Sequence, residues 1–184
     1  QLKDIFPQNA VDIGLFGEKS VFNWCFRKKE KALYKTSDFI GCMSPANVDF
    51  ILKHNSEISP KRVEVAPNSV EQREVDTVIN DPGYIKKEYD LPLEKPIFIY
   101  GGNLGKPQGI DYLVKCLDAN KHRTDCYFVV VGSGTHYGLI SDWYKDNKDC
   151  NVKLMRSLPK ADYDLLVKSC DVGLIFLDHR FTIP

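Results

Sequence analysis

The protein has 184 residues, a length that accommodates one domain, or one domain and part of another. Hydrophobic residues make up 43% of the chain, which is enough apolar material for a packed core. Lys and Arg total 25, as do Asp and Glu, so the formal net charge is zero, and this balance argues against a nucleic-acid-binding protein. No stretch approaches the roughly 20 apolar residues that span a bilayer.

The first residues, QLKD, contain no initiator Met and lack the basic-then-apolar layout of a signal peptide. We therefore expect this chain to be a piece of a longer protein. The six cysteines include no CxxC pair for a metal ion or for redox chemistry. We expect reduced thiols, no metal ion, no organic cofactor and a cytoplasmic location, with a disulfide framework as the less favoured alternative.

The second half of the chain alternates short apolar runs with helical patterns. Apolar residues recur at i, i+3, i+4 and i+7 from Ile110, which is the spacing of an amphipathic helix. The predicted strands are 97–100, 127–131, 152–155 and 171–177, and the predicted helices are 110–117, 137–145 and 163–170. Strands that start about 20 to 30 residues apart, with a helix in each interval, are typical of βαβ units. We predict an α/β fold with a Rossmann-like parallel sheet and flanking helices.

The first half is less regular but also mixes helices and strands. We predict a Lys-rich helix at 21–36, strands at 38–43 and 62–65, and a helix from Ser44-Pro45 to His54. Ser as the N-cap with Pro at the first helical position is a strong start signal. The polar stretch 69–83 predicts a linker. The chain would then divide into the tail of a second α/β domain (1–68), the linker, and an incomplete domain at 84–184.

Aromatic residues and lysines are interleaved in the helix predicted at 21–36. The favoured interpretation packs Phe22, Phe26 and Leu33 inward and leaves the lysines in solvent. The alternative places this helix on an anionic membrane surface, at the inner face of the membrane. Surfaces left exposed by a truncated chain also make self-association an option.

Two glycine-rich turns follow predicted strands and are the strongest candidates for a binding site. The first, GGNLGKPQG at 101–109, lies between a buried strand and a helix, where open α/β sheets bind ligands. Its glycines allow peptide N–H groups to approach a phosphate, and Lys106 would add a positive charge. The second turn, GSG at 132–134, follows the next strand. A crevice between the two turns would hold a nucleotide, although each turn alone is also compatible with tight strand-to-helix geometry.

Other nucleotide-binding patterns do not occur. An NAD site needs G-x-G-x-x-G after its first strand and an acid at the end of the second, but here the second strand ends at Gly132. The P-loop pattern is missing as well. Acids do not cluster before Gly101 or Gly132, as they would in a flavodoxin-like receiver. These observations count against a dinucleotide-binding enzyme.

Short segments along the chain are similar, in the same order, to segments of one enzyme family. They are DIFP (4–7), EKALYKTSDFIGCMSPANVDFIL (30–52), KRVEVAPNSVE (61–71), PIFIYGGNLGKPQGIDYLV (96–114), VVVGSG (129–134) and DVGLIFL (171–177). Each segment is weak singly, but their order is specific. The chain resembles the family-four retaining glycosyltransferases of the GT-B fold, especially those that build bacterial capsule and O-antigen polysaccharides.

The resemblance implies roles for individual residues. Gly102 and the turn after it would contact the diphosphate of the donor, and the segment 156–158 would hold the base. Many members have Arg and Lys where this sequence has Asn103 and Gln108, so Lys106 or backbone donors would replace the usual cationic clamp. The predicted substrate-binding residues are Gly101, Gly102, Asn103, Lys106, Gln108, Gly109, Gly132, Ser133, Gly134, Arg156 and Leu158.

The resemblance also implies a function for the intact protein. Residues 84–184 would form most of the nucleotide-sugar-binding domain, and residues 1–68 would end the acceptor-side domain. The enzyme would transfer a sugar from a nucleoside diphosphate sugar to a saccharide, expected to be lipid-linked, in capsule or lipopolysaccharide biosynthesis, with retention. The catalytic residues are expected outside this chain, which is itself expected to be inactive. Two alternatives stay open: another Rossmann-type enzyme, such as a sugar-nucleotide epimerase, and a non-catalytic binding module.

Overall fold

A computed structural model describes residues 1–69 and 83–178, and these fall into two compact units. Unit 1 comprises residues 1–69 and unit 2 comprises residues 83–178. The predicted linker lies outside the described residues except for its two ends, as do residues 179–184. The domain boundaries at 68 and 84 stay a prediction.

Unit 1 is built around a short βαβ arrangement. Its elements are α1 (Gln8–Asp12), α2 (Val21–Thr36), β1 (Ile40–Cys42), α3 (Pro45–His54) and β2 (Val63–Val65), with a 3₁₀ turn at Pro60–Arg62. The two strands pair in parallel, with Ile40 opposite Val63. Leu2 adds an isolated parallel bridge to Cys42, so the chain before α1 runs beside β1.

Local capping explains where the two longer helices of unit 1 begin. Ser20 Oγ accepts the N–H of Asn23 at 3.1 Å, and Ser44 Oγ accepts the N–H of Asn47 at 3.3 Å. Pro45 occupies the first position of α3, where its missing N–H costs no hydrogen bond. The core of the unit consists of Ile5, Tyr34, Ile40, Cys42, Ile51, Ile58 and Val63.

Three residues of α2 were predicted to pack inward, and this prediction is wrong for two of them. Phe22 and Leu33 are 68% and 66% exposed, while Phe26 is half-buried against Phe6 at a ring-centroid distance of 4.8 Å. The buried stripe is polar instead, because Glu30 accepts from Arg27 Nη1 at 2.7 Å and from Tyr34 Oη at 2.8 Å. A carboxylate that is paired and hydrogen-bonded can be buried, so hydrophobicity alone does not identify the packed side of this helix.

Unit 2 is a four-stranded parallel sheet with helices on both faces. Its elements are α4 (Tyr84–Glu88), β3 (Ile97–Asn103), α5 (Ile110–Asn120), β4 (Tyr127–Ser133), α6 (Tyr137–Asp146), β5 (Val152–Met155), α7 (Lys160–Ser169) and β6 (Val172–Gly173). The strand order is β5-β4-β3-β6 and every pairing is parallel. The predicted α/β fold with a Rossmann-like parallel sheet is confirmed.

The central strand β4 explains why this sequence forms a covered sheet. Phe128 and Val130 contribute to one core cluster, together with α5 and α6, while Val129 and Val131 contribute to another, together with α4 and α7. Because both faces of the strand are buried, its residues are continuously apolar rather than alternating. Within residues 1–69 and 83–178, no helix is long and apolar enough to cross a bilayer.

The fourth predicted strand is much shorter than expected. We predicted 171–177, but pairing with β3 is confined to Val172 and Gly173, after which the Leu174 N–H donates to the Ile99 carbonyl at 2.7 Å. The chain then leaves the sheet, and Ile175 is exposed. The Asp178 N–H donates to the Pro107 carbonyl at 3.0 Å, which ties the end of this segment to the turn before α5.

We expect Leu113→Ala to destabilise unit 2 by about 2–5 kcal/mol, because the side chain is fully buried and its loss leaves a cavity. Urea unfolding should be followed by Trp143 fluorescence in a Trp24→Phe background, so that only unit 2 reports. Lys168→Ala, on the exposed side of α7, is the matched control and should change the free energy of unfolding by less than about 0.5 kcal/mol. Equal effects of the two substitutions would contradict the packing described.

Candidate functional site

The two glycine turns lie side by side at one edge of the sheet in unit 2. β3 and β4 are neighbours, and their register places Gly102 opposite Gly132 and Asn103 opposite Ser133. Because the strands are parallel, their carboxyl ends emerge at the same edge. In open α/β sheets this edge is where ligands bind. The spatial pairing of the turns that the sequence analysis required is therefore present.

Main-chain contacts lock the two turns together. The Leu104 N–H donates to the Ser133 carbonyl at 2.9 Å, and the His136 N–H donates to the Leu104 carbonyl at 2.8 Å. A Cβ added to Gly132 would overlap the carbonyl oxygen of Gly102, and one added to Gly134 would lie 2.5 Å from the Leu104 carbonyl. Glycine is thus required at both positions by the close approach of two backbones.

An open cavity of about 510 Å³ lies at the ends of the two strands. It is lined by Gly101, Gly102, Asn103, Val131, Gly132, Ser133, Ser157, Leu158 and Tyr163. Gly102 has a φ of +139°, and a Cβ built there would meet no atom within 4 Å. The turn therefore leaves space beside the main chain at Gly102 that a ligand can occupy.

The structure brings six of the eleven predicted site residues to this cavity. They are Gly101, Gly102, Asn103, Gly132, Ser133 and Leu158. The other five, Lys106, Gln108, Gly109, Gly134 and Arg156, do not line it. Gly109 instead caps α5 in the left-handed conformation, with φ of +58°. The Arg156 guanidinium lies 3.6 Å from the centroid of the Tyr137 ring, in a cation–π contact outside the cavity wall.

Side-chain hydrogen bonds fix the shape of the cavity wall. Ser157 Oγ donates to Ser133 Oγ at 3.0 Å and so links the ends of β4 and β5. Tyr100 Oη donates to the Asn103 carbonyl at 3.1 Å. Burial raises the pKa of the Tyr100 phenol, so this hydroxyl remains a donor at neutral pH. Both bonds hold the turns in place before any ligand arrives.

Three lining residues are not among the eleven predicted: Val131, Tyr163 and Ser157, the last of which lies within the predicted segment 156–158. Among them, Tyr163 lies beside Gly101. Its hydroxyl lies so close to Gly101 that a Cβ on that glycine would overlap it, which explains the glycine at this position. Burial raises the pKa of Tyr163, so the phenol stays protonated. Its oxygen has no hydrogen-bond partner within residues 83–178, and it is therefore available to a ligand. The only signal in the sequence is that Tyr163 lies in the first turn of α7, directly after the predicted base-binding segment 156–158.

The described residues that line the cavity are uncharged. An anionic ligand would therefore be held by peptide N–H groups, by the hydroxyls of Ser133, Ser157 and Tyr163, and by the Asn103 amide. The first turn of α5 carries an acidic residue, Asp111, which offsets part of the positive field at that helix end. The site is suited to a ligand that is recognised mainly through directional hydrogen bonds.

Comparison with solved structures identifies the fold. Solved glycosyltransferases of the GT-B fold share this architecture. One is WaaG, a glycosyltransferase involved in lipopolysaccharide biosynthesis, with a TM-score of 0.63 and 14% identity over 90% of this chain and 47% of that chain. Another is HepE from Anabaena in complex with UDP and glucose, with a TM-score of 0.62 and 12% identity over 82% of this chain and 41% of that chain. The GT-B fold implied by the resemblance is confirmed.

Sequence comparison points in the same direction. The chain is 21% identical over 183 residues to "Probable glycosyltransferase WbjE" of Pseudomonas aeruginosa, covering 96% of this chain and 43% of that protein. No family model matches the sequence. The chain thus spans less than half the length of this relative and of the solved structures. Membership of family four and retention of configuration stay predictions.

We expect Gly132→Ala to destabilise unit 2 by about 1–3 kcal/mol, because its methyl group forces apart two hydrogen-bonded turns. Gly138→Ala is the matched control, since a Cβ there meets no atom within 4 Å, and replacing glycine in helix α6 should stabilise by up to about 1 kcal/mol. Thermal unfolding of both variants gives the comparison. Unchanged stability in Gly132→Ala would refute the close approach of the turns.

Proposed function

We propose that this chain contains the nucleotide-sugar-binding unit of a glycosyltransferase. The intact enzyme would transfer a sugar from a nucleoside diphosphate sugar to a saccharide acceptor, with retention, in the synthesis of a surface polysaccharide. The observation that carries the proposal is the cavity between two interlocked glycine turns in a GT-B fold. The similarity to a glycosyltransferase along 96% of the chain supports it.

The diphosphate of the donor would lie against the turn at Gly102, where the main chain is open to the cavity. Peptide N–H groups and the hydroxyls of Ser133 and Ser157 would donate hydrogen bonds to its oxygens. Lys106, exposed on the 3₁₀ turn before α5, does not line the cavity and would add a positive charge only from outside its wall. The base would lie toward Leu158 and Tyr163, which form an apolar wall with one free hydroxyl.

This arrangement would assist sugar transfer by stabilising the leaving group. As the bond between the sugar and the diphosphate breaks, negative charge grows on the diphosphate oxygen. Donors that the fold already holds in position stabilise that charge without reorganisation. The residues that line the cavity in unit 2 include no carboxylate, so the remaining catalytic groups are expected from other parts of the intact protein. The chain of 184 residues should bind donor weakly and should not turn over.

Nucleotide binding to the chain tests the donor site directly. Titration with UDP, GDP and NADH, followed by ligand-observed NMR, should show binding of a nucleoside diphosphate in preference to NADH. We expect Ser133→Asp to weaken that binding by at least about tenfold, because a carboxylate would repel the diphosphate, and tenfold corresponds to about 1.4 kcal/mol. Thr124→Asp is the matched control, since Thr124 is an exposed hydroxyl residue before the opposite end of β4, and it should not affect binding.

Three results would count against this assignment. Preferential binding of NADH would favour a sugar-nucleotide epimerase. Equal affinity of the Ser133→Asp and Thr124→Asp variants would place the ligand elsewhere. Absence of nucleotide binding even in the intact protein would favour a non-catalytic module.

We also propose that α2 contacts the cytoplasmic face of a membrane, where a lipid-linked acceptor would be located. Val21, Phe22, Trp24 and Leu33 are all more than 60% exposed. Lys28, Lys29 and Lys35 are exposed on the same helix, whose single acid, Glu30, is buried. Exposed aromatic and aliphatic side chains among lysines are typical of helices that lie on anionic lipid surfaces.

Sedimentation with vesicles tests this contact. The chain should bind vesicles that contain phosphatidylglycerol more tightly than vesicles of phosphatidylcholine, with a blue shift of Trp24 fluorescence. Phe22→Glu should reduce binding several-fold, whereas Phe39→Glu, at a residue that is 67% exposed but outside α2, should not. The proposal would be contradicted if the Phe22→Glu and Phe39→Glu variants bound vesicles equally, or if the chain showed no preference for anionic lipid. The exposed apolar residues of α2 would then be assigned to contact with protein.

A further inference from the structure

Of the described residues that line the cavity in unit 2, Tyr163 is the one that a helix supplies. It lies in the first turn of α7, and its N–H donates to the Pro159 carbonyl at 3.0 Å. Tyr89 Oη on α4 donates to the neighbouring Asp162 Oδ2 at 3.2 Å, which ties the start of α7 to another helix. The position of the Tyr163 ring is therefore set by helix packing before any ligand binds.

The ring of Tyr163 occupies the space beside Gly101, near the end of β3. A Cβ built on Gly101 would lie 2.5 Å from Cε2 and 2.6 Å from Cζ of this ring, and the hydroxyl would be closer still. The phenol thus fills the place that a side chain at residue 101 would take. Its oxygen has no hydrogen-bond partner within residues 83–178, and burial raises its pKa, so the proton remains available for donation.

Hydrogen-bond acceptors are scarce among the side chains around Tyr163. Leu158 and Val131 belong to the same apolar cluster as the ring. The described lining residues include no carboxylate, and the hydroxyls of Ser133 and Ser157 are bonded to each other at 3.0 Å. This part of the wall therefore presents a phenol that donates a hydrogen bond, set in an apolar background.

Such a wall discriminates between nucleotide bases by their hydrogen-bonding groups. Uracil and thymine have two carbonyl oxygens that accept and only one N–H. Guanine, adenine and cytosine each carry an amino group, which needs acceptors of its own. An amino N–H held against Leu158 and Val131 without an acceptor would weaken binding, whereas a carbonyl oxygen would accept from Tyr163 Oη.

We propose that Tyr163 makes the cavity in unit 2 selective for nucleotides of uracil or thymine. The inference rests on the proposed glycosyltransferase function, in which the diphosphate lies at Gly102 and the base lies toward Leu158. Tyr163 would act on the choice of donor through the base, and it would take no part in breaking the bond between the sugar and the diphosphate.

Titration of the 184-residue chain with UDP, dTDP, GDP, ADP and inorganic pyrophosphate, followed by ligand-observed NMR, tests this selectivity. UDP or dTDP should bind at least about fivefold more tightly than GDP and ADP, and the tighter of the two identifies the base. Tyr163→Phe should weaken binding of that nucleotide at least about fivefold but leave pyrophosphate binding unchanged, because the lost hydroxyl contacts the base.

Tyr144→Phe is the matched control. Tyr144 is a half-buried tyrosine of α6 that does not line the cavity, and its substitution should leave all affinities unchanged. Tyr163→Phe keeps the ring and removes a hydroxyl that has no partner within residues 83–178. Its thermal unfolding should therefore match that of the unmodified chain, so that a change in affinity reports the contact with the base.

The outcomes separate this inference from the donor site itself. Equal affinity for UDP, dTDP and GDP, or equal nucleotide affinity of Tyr163→Phe and Tyr144→Phe, overturns the role of Tyr163 and leaves the donor site intact. Weaker pyrophosphate binding in Tyr163→Phe also overturns it, since the hydroxyl would then contact the phosphates. If the unmodified chain binds neither a nucleoside diphosphate nor pyrophosphate, the donor site is refuted instead.

Discussion

The close approach of two main chains at the carboxyl ends of β3 and β4 is the constraint on which the rest of unit 2 depends. The Gly102 carbonyl occupies the space that a Cβ on Gly132 would need, and the Leu104 N–H bonds the Ser133 carbonyl. These contacts bring peptide groups, rather than long side chains, to the edge of the sheet. Because each strand is packed between helices on both faces, neither turn can move without disturbing a core.

The architecture of unit 2 could be predicted because burial on both faces leaves a clear trace in the sequence. A central strand such as β4 must be apolar at every position, and the helices between strands must carry an apolar stripe. The fourth strand was predicted too long for the same reason. The residues after Gly173 are as apolar as those of a buried strand, but composition does not record where hydrogen bonding to β3 ends.

The candidate site was only partly predictable. Glycines that follow buried strands are visible in the sequence, and the structure places Gly102 and Gly132 side by side. Tyr163 was missed because its place in the cavity depends on how α7 packs against the sheet, which no local pattern encodes. The packed side of α2 was misjudged because Glu30 and its partners form a buried polar network. Predictions from hydrophobicity are reliable only where the buried residues are themselves apolar.

The uncharged wall of the cavity in unit 2 affects how the amino-acid sequence of such a protein can change in evolution. Peptide groups are supplied by every type of amino acid, so recognition through the main chain places few demands on side-chain identity. Only positions of steric contact, such as Gly132 and Gly134, are restricted. A surface of this kind can keep its geometry while the surrounding residues drift, which is compatible with a shared fold at 12–14% identity.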